Sequence, residues 1–400
     1  MDERGELDPV AVTGVRYLRR IFPLLKRLST SGCERDLAGN RRLLFSQYAG
    51  LVLVSLFNPT LQSLQGLSDV SRLKKVQKLL GAPHTSVGSL SESVRVFEPA
   101  LLEKIFLELL ESLPVQANRT AYGSIPEDLV RRLTAVDGTA LRVLPQLIAA
   151  AGDSQGKWRM HLQFEVWRGV PEQAVLTRDE VGGDADERSV LSANLRSGRV
   201  YIDDRGYERY SLCEDVVRAG SDYVTRVQRR PMAQIEPREL TPSAVAAGVL
   251  SDELVKAGQS RTDVGRVTHQ MRRIVIAGGV PQGRPRTDRS HSKEIVLLTS
   301  LVDVPAEIIA AIYRLRWVIE LFFRFFKHVL GCKHLLSTKP EGIAIQVYCA
   351  LIAALLMTIA AGGPVGRRGF TLICLYLQGW ADEDELIDGL KRIAAKKSKG

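Results

Sequence analysis

The segment spanning residues 313–327 combines a mostly apolar surface with four polar side chains at fixed intervals. Tyr313 is followed by Arg316 after two intervening residues, by Glu320 after three more, and by Lys327 after six more. At about 100° per residue, a single helix would place all four side chains on one face. The other positions are mainly Leu, Ile, Val and Phe, which predicts a helix packed into a core.

Two interpretations of this polar stripe are open. A carboxylate and two cations on a mostly buried helix are costly unless they are paired or have a function. Arg316 and Glu320 are four residues apart, so the stripe could be a salt-bridged core helix. The alternative is the wall of an active site.

Two further acidic positions lie upstream, each after a short apolar run. Residues 133–137 read LTAVD and continue with Gly-Thr, whereas residues 200–204 read VYIDD and continue with Arg-Gly-Tyr. Taken alone, an aspartate at a strand end before glycine is typical of a turn. The order of these aspartates relative to the later helix favours a shared site.

In these residues the chain resembles the DDE transposases of the insertion sequence four (IS-four) family, from about residue 40 to residue 360. The pattern of that family matches residue for residue at Tyr313, Arg316, Glu320 and Lys327.

The resemblance implies a catalytic and metal-binding triad. Glu320 would be its third carboxylate, and Asp137 its first. The second aspartate of the family stands before x-Gly-Tyr or x-Gly-Phe, which selects Asp204 over Asp203.

Three acids suit the expected chemistry. Phosphodiester cleavage needs an activated water or 3′-hydroxyl in line with the leaving oxygen, and two Mg²⁺ ions about 3.5–4 Å apart stabilise both oxygens. Magnesium prefers hard oxygen ligands and retains some waters, so a few carboxylates suffice. We therefore expect two Mg²⁺ ions, for which Mn²⁺ can substitute. Arg316 and Lys327 would grip phosphates beside the scissile bond, and Tyr313 would donate a hydrogen bond to a phosphate or order the site.

Composition agrees with a nucleic-acid enzyme. Four hundred residues predict two or three domains, and a formal charge of +10 favours a polyanionic partner. The five cysteines are odd in number and widely spaced without a CxxC pair, which favours reduced thiols in a cytoplasmic chain. The first residues of the chain are charged and no apolar stretch follows directly, so we expect no signal peptide. Residues 343–361 are long and apolar enough for a membrane span, yet they follow the proposed catalytic helix, and we expect a buried core helix and no membrane partner.

The patterns predict five segments. Residues 1–125 should form a helical, DNA-binding domain, in which residues 68–80 form one basic helix and Ser89 begins the next with a capping box. This helix pair resembles a helix-turn-helix with a long connection, so Lys74 and Lys75, with Lys78 and Arg95, could face phosphates, or could form a solvated surface.

Residues 126–228 and 301–365 should form an RNase H-like core. Strands are predicted at 158–166, 172–177, 199–203 and 222–228, with helices at 187–195 and 207–219. Three meandering strands followed by alternating helices and strands give an α/β fold of the RNase H-like (retroviral integrase-like) type. Residues 366–400 should form a C-terminal helical segment and a basic tail.

Residues 229–300 should form a β-rich insertion, since structureless loops of this length are uncommon. Its basic residues, among them Arg272 and Arg273, together with Arg226 just before it, suggest a surface against the DNA backbone. Some family members stack an aromatic from this insertion on a base, but no Phe, Tyr or Trp lies between residues 225 and 301. Only His269, His291 or an arginine plane could stack there.

Two other histidines could be mistaken for metal ligands. His161 lies on the polar side of a predicted strand, where a surface or hydrogen-bonded role is expected, and His328 should be solvated.

The sequence therefore predicts a cut-and-paste DNA transposase that acts on double-stranded DNA, namely terminal inverted repeats and target DNA. The active complex is expected to be a homodimer, working in the prokaryotic cytoplasm at the nucleoid. The alternatives are an RNase H-like nuclease without strand transfer and a domesticated DNA-binding derivative.

Overall fold

The computed structural model describes residues 24–28, 35–37, 39, 41–56, 61, 63–113, 122–143, 157–178, 183–228, 233–256, 267–278, 294–332, 334–361, 367–377 and 380–397. The chain divides into two compact units. The first comprises residues 1–117, 140–158 and 322–400, and the second comprises residues 118–139 and 159–321. The five domain limits expected from the sequence stay predictions.

The first unit begins with helices α1 (Phe45–Leu56), α2 (Leu64–Val70), α3 (Lys74–Leu80), α4 (Val87–Ser93) and α5 (Pro99–Glu111). The single helix predicted over residues 68–80 is wrong, because the chain leaves the helix after Val70. The buried Ser71 hydroxyl donates to the carbonyl of Ser68 (2.6 Å) and accepts the N–H of Thr85 (2.9 Å), which fixes the turn between α2 and α3.

The start of α4 also differs from the prediction. Its N-cap is Ser86, whose hydroxyl accepts the backbone N–H of Ser89 at 3.2 Å. The helix therefore begins before the Ser89 capping box. A serine run offers several caps, and the one at the junction with extended backbone is used.

The second unit contains α6 (Glu127–Arg132), β1 (Leu133–Val143), β2 (Lys157–Glu165), β3 (Val170–Arg178), α7 (Glu187–Ala193), β4 (Val200–Asp203), α8 (Tyr210–Arg218) and β5 (Asp222–Val227). The last residues of β1 and the first of β2 belong to the other unit. The strand order is β3-β2-β1-β4-β5, and β1, β4 and β5 run parallel. This order confirms the predicted RNase H-like α/β fold.

A buried ion cluster fixes the first strands. Glu172 on β3 is 2% exposed and accepts hydrogen bonds from the Thr134 hydroxyl (3.0 Å) and from Arg199 (2.7 Å). Arg196 completes the cluster at 2.5 Å. Because a buried carboxylate is costly without partners, these contacts tie β1 and β3 to the segment that precedes β4.

The segment expected to be an insertion supplies β6 (Ala233–Pro237), α9 (Pro242–Ala246), β7 (Val249–Lys256), β8 (Met271–Ala277) and β9 (Glu294–Thr299). These strands do not make a separate sheet. β9 pairs antiparallel with β5, and β8, β7 and β6 follow in antiparallel order, so the core sheet continues through them.

Arg272 corrects one expectation about this segment. It is 2% exposed, and its guanidinium donates to both carboxylate oxygens of Asp252, at 2.7 and 2.6 Å. It also donates to the carbonyls of Leu301 (3.2 Å) and Val304. Its donors are used inside the protein, so its prediction as a DNA contact is wrong.

After β9 come α10 (Ala306–Arg314), α11 (Trp317–His328), β10 (His334–Leu335), α12 (Pro340–Ala361), α13 (Arg367–Leu377) and α14 (Glu383–Lys397). The single helix predicted over residues 313–327 is wrong, because α10 ends before Leu315 and α11 begins at Trp317. The backbone N–H groups of Arg316 and Ile319 bond to carbonyls three residues earlier, as in a tight 3₁₀ turn.

In the first unit, α12 packs against α1 and α5, and Phe106 lies 6.3 Å from Tyr348 between ring centroids. The part of α12 from residue 340 to residue 359 is long and apolar enough to cross a membrane, but 83% of its most apolar stretch is buried inside the protein. This agrees with the predicted core helix.

We predict that Arg272→Ala lowers the free energy of unfolding by about 3–5 kcal/mol, because Asp252 is left as an unpaired buried carboxylate. Arg273→Ala is the matched control, since Arg273 is the next residue and pairs with Glu253 in a more exposed position. Its loss should cost about 1 kcal/mol or less. Chemical denaturation measures both, and equal losses would contradict the structural role of Arg272.

Candidate active site

The parallel pairing of β1 with β4 brings two predicted acids together. Ala135 is paired with Ile202, and Leu133 is paired with Val200. Continuing this register by two residues sets Asp137 beside Asp204 at one edge of the sheet. The β1 strand does not end at Asp137 as predicted but continues to Val143.

Asp203 and Asp204 have different environments, as the alternation of a strand requires. Asp203 ends β4, is 3% exposed, and accepts a hydrogen bond from the Thr225 hydroxyl at 3.2 Å. Burial raises its pKa well above the ordinary value. Asp204 is partly exposed and caps a short 3₁₀ helix by accepting the N–H of Gly206 at 2.8 Å.

Asp137 is half-buried, and its Oδ1 accepts the N–H of Gly138 at 2.8 Å. Its pKa is raised to about 7, first because burial disfavours the charged form and then because Asp204 repels it. The Gly138 N–H and Arg316 act in the opposite direction, and Glu187 adds a further repulsion. The two aspartates are therefore close enough to destabilise each other's charge.

Glu187 is a fourth acid at this edge, and sequence reasoning missed it. It begins α7, and its carboxylate pairs with Arg159 on β2. A methyl group added at Gly138 would lie 2.5 Å from Glu187 Oε1, and one added at Gly206 would lie 3.2 Å from Oε2. The carboxylate thus lies close to Gly138, which follows Asp137, and to Gly206, which is two residues after Asp204. The only signal in the sequence was an acid in the first turn of a predicted helix.

The polar residues near the α10–α11 junction also come to this side of the second unit. Tyr313 is 7% exposed. Burial raises its pKa, and the positive charges of Arg316 and Arg226 oppose this rise. Arg316 lies in the junction and donates to Glu320 Oε1 at 2.5 Å. Their side chains are 14% and 29% exposed, respectively.

Lys327 lies on α11, seven residues after Glu320, in the part of the helix that belongs to the other unit. It is half-buried and has interactions with the protein. Its phosphate contact stays a prediction.

The acids provide the oxygen ligands that Mg²⁺ prefers, and two of them repel each other when charged, a strain that a divalent cation would relieve. Asp137 and Asp204 therefore fit such an ion. Among the residues that the structure describes, however, no group of three or more acidic, His or Cys side chains is gathered as a metal-ligand set. Glu320 is turned to Arg316 instead.

The histidines serve structural contacts. His161 is buried and shares a 2.9 Å hydrogen bond with the Thr177 hydroxyl, which agrees with the expected hydrogen-bonded role. His328 is exposed, as predicted.

His269 lies 3.1 Å from Glu214 through Nδ1 and 2.9 Å from the Tyr223 hydroxyl through Nε2. Because both ring nitrogens are held and the ring is largely buried, His269 is unsuited to stacking on a base. His291 lies outside the described residues.

The two lysines that the sequence predicted to contact DNA lie in the first unit. Lys74 and Lys75 begin α3, and both are exposed. No residue of α3 is fully buried, and Gly81 ends the helix with a φ of 61°. Arg273 is partly exposed and paired with Glu253.

Comparisons with known proteins find one matching family and several similar proteins. The family described as "Transposase DDE domain" matches residues 128–356. The transposase-like protein y4zB of Sinorhizobium fredii is 27% identical over 205 residues, which cover 51% of this chain and 53% of that protein. The transposase of insertion sequence element IS421 from Escherichia coli is 25% identical over 256 residues, covering 57% and 65%, respectively. The chain thus spans between half and two thirds of the length of these relatives.

Among solved structures, the cryo-EM structure of a piggyBac transposase synaptic complex with hairpin DNA is similar over 98% of this chain and 82% of that chain. The identity is 11% and the TM-score is 0.43. A score this low supports no conclusion, so the fold assignment rests on the strand order of this chain.

The raised pKa of Asp137 predicts a pH-dependent stability. Between its ordinary value of 3.8 and about 7, the folded protein holds a proton that the unfolded chain has lost, so stability falls as pH rises through this interval. Asp137→Asn cannot ionise and should remove this fall. Without metal, the variant should melt about 2–4 °C above wild type at pH 8.

Thermal melting from pH 4 to pH 8 in a chelator checks this, and the difference should shrink towards pH 4. Added Mg²⁺ should then stabilise wild type more than the variant. A difference that is the same at every pH would contradict the assignment.

Proposed function

Because the chain belongs to the Transposase DDE domain family, which matches more than half of its length, we propose that it is a DNA transposase. It would cleave DNA at transposon ends and transfer the cut strand to a target. The observation that carries the proposal is the β1–β4 register, which sets Asp137 beside Asp204 at the sheet edge.

Enzymes of this family generally use divalent metal ions. We propose that Asp137 and Asp204 hold them here, with Glu320 as third ligand, and that the ions are two Mg²⁺, for which Mn²⁺ can substitute. When bound, such ions activate the attacking water or 3′-hydroxyl and stabilise the leaving oxygen. Asp203 would stay outside this set, because it is buried and bonded to Thr225.

The basic and phenolic groups would position DNA. Arg316 presents a planar guanidinium that suits a phosphate, and it would leave Glu320 when that carboxylate binds a metal ion. Lys327 would contact a second phosphate. Tyr313, whose pKa is raised by burial, would remain a neutral donor to a phosphate or order the site.

The partners follow from the same proposal. The DNA would be double-stranded, comprising terminal inverted repeats and target DNA, and the active complex would be a homodimer in the bacterial cytoplasm. Lys74, Lys75 and Arg273 would contact the DNA backbone, since phosphate contacts supply most affinity without sequence preference. Residues 1–125 would form the helical DNA-binding domain.

We predict that Glu320→Gln abolishes cleavage and leaves DNA binding nearly unchanged, because it keeps the shape of the side chain and removes a metal-binding charge. The substrate is DNA that includes the regions on either side of the gene that encodes this protein, and the buffer contains Mg²⁺. Cleavage and gel shift are measured together.

The two neighbouring aspartates provide the control. Asp204→Asn should be inactive, and Asp203→Asn should keep cleavage. Wild-type cleavage by Glu320→Gln would remove Glu320 from the site, and cleavage without strand transfer by wild type would favour the nuclease alternative. Binding without any cleavage by wild type would favour a domesticated derivative.

A separate prediction tests whether Arg316 serves catalysis or only pairs with Glu320. We expect Arg316→Ala to slow cleavage more than tenfold, about 1.4 kcal/mol of transition-state stabilisation, with little change in melting temperature. Glu320 is 29% exposed, so water can solvate its carboxylate when Arg316 is lost. Lys327→Ala should behave in the same way.

Arg324→Ala is the matched control, since Arg324 is an exposed arginine on the same helix. It should change neither activity nor melting. If Arg316→Ala instead loses about 3–5 kcal/mol of stability with a proportionate loss of activity, the pair is structural.

A further inference from the structure

The Glu187 carboxylate lies near the chain segments that directly follow the proposed metal-binding residues Asp137 and Asp204. Its side chain is 21% exposed, and it belongs to the first turn of α7. The helix is anchored next to it, since Asp186 caps α7 by accepting the N–H of Arg188 at 3.1 Å. The position of the Glu187 carboxylate is thus set by a fixed element and not by a loop.

The two glycines allow the carboxylate to approach. A Cβ at Gly138 would lie 2.5 Å from Oε1 and 3.1 Å from Cδ, which is closer than side chains pack. A Cβ at Gly206 would lie 3.2 Å from Oε2 and 3.1 Å from Asp204 Oδ1. One oxygen of this carboxylate therefore lies near the backbone that follows Asp137, and the other lies near the backbone that follows Asp204.

The charge of Glu187 is balanced by a neighbouring cation. Arg159 on β2 pairs with Oε1 and is 32% exposed. An anion pressed against two repelling aspartates would be unfavourable without such a cation. The pair of Glu187 and Arg159 thus brings a further carboxylate to the site at reduced cost, in the way that outer residues orient the ligands of metal sites.

We infer that Glu187 is a positioning residue for divalent metal binding: it holds the segments that carry Asp137 and Asp204 at a fixed separation and adds negative charge beside them. This inference rests on the proposed function. It assigns Glu187 no direct metal bond, and it makes Glu187 a determinant of metal affinity more than of the chemical step.

The test measures Mn²⁺ binding by the full chain without DNA, using the electron paramagnetic resonance signal of free Mn²⁺. Glu187→Gln keeps the size of the side chain and removes its charge. We expect its dissociation constant for Mn²⁺ to rise about tenfold, the usual effect of losing an outer residue of a metal site. The Mg²⁺ concentration that gives half-maximal cleavage should rise by a similar factor, while cleavage at saturating Mg²⁺ changes far less.

Asp186→Asn is the matched control. It removes one charge from the adjacent residue, and asparagine caps a helix as well as aspartate. Its Mn²⁺ affinity should equal that of wild type. Glu187→Asp, which restores the charge, should recover part of the lost affinity, and the melting temperatures of all variants should be close to that of wild type.

The outcomes separate this inference from the proposed function. If wild type binds Mn²⁺, Asp204→Asn does not, and Glu187→Gln binds as wild type does, the positioning role is overturned while the metal site stands. If Glu187→Gln and Asp186→Asn lose affinity equally, the effect is one of net charge and the role is again overturned. If wild type does not bind Mn²⁺, both the metal site and the inference fail.

Discussion

The second unit depends on a costly arrangement, in which two partly buried carboxylates, Asp137 and Asp204, are held side by side where β4 ends next to β1. The parallel register of β1 and β4 fixes it, since Ala135 pairs with Ile202 and the aspartates follow two residues later. The pKa of Asp137 is raised, first by burial and then by repulsion from Asp204. Such a cost persists only where the surroundings impose the geometry. Here the buried cluster of Glu172 with Arg196 and Arg199 holds the same strands from the other end.

The extended sheet has a structural consequence for the helices. Arg272 on β8 binds Asp252 on β7 and carbonyls in the turn that follows β9. Arg238 donates to Val302 in the same turn at 2.5 Å. That turn leads directly into α10, which carries Tyr313. The added strands therefore fix the start of α10, the helix that brings Tyr313 towards the aspartates. The number of basic residues in these strands does not reveal this role.

Periodicity was sufficient for the core and insufficient for the junctions. The alternation of residues 158–166 predicted β2, and the strand pleat separated Asp203 from Asp204, because both follow from local backbone geometry. The break at Leu315 carries no proline or glycine, so an apolar helical pattern continued across it. Only the hydrogen bonds of the folded chain show the tighter turn there.

Long-range pairing explains the other failures. The sequence marks Arg272 and Arg273 as two equivalent basic residues, yet alternation on β8 turns one inward to Asp252 and leaves the other beside Glu253. Glu187 is likewise an ordinary first-turn acid until the fold brings Gly138 and Gly206 to it. The sequence contains the residue types, but their partners are 20 to 50 positions away, beyond the reach of a local pattern.

Charge at two length scales then accounts for how one chain could hold both a cation and a polyanion. At the sheet edge, the three acids Asp137, Asp204 and Glu187 outnumber the two nearby cations, Arg159 and Arg316. The whole chain, in contrast, carries a formal charge of +10. Exposed charges are screened beyond about 10 Å at 0.1 M salt. The acidic side chains therefore act on a cation within the site, while the basic side chains spread over the surface act on DNA. The acids can therefore concentrate a divalent cation without repelling DNA from the rest of the protein, provided that the cation is bound before a phosphate approaches them.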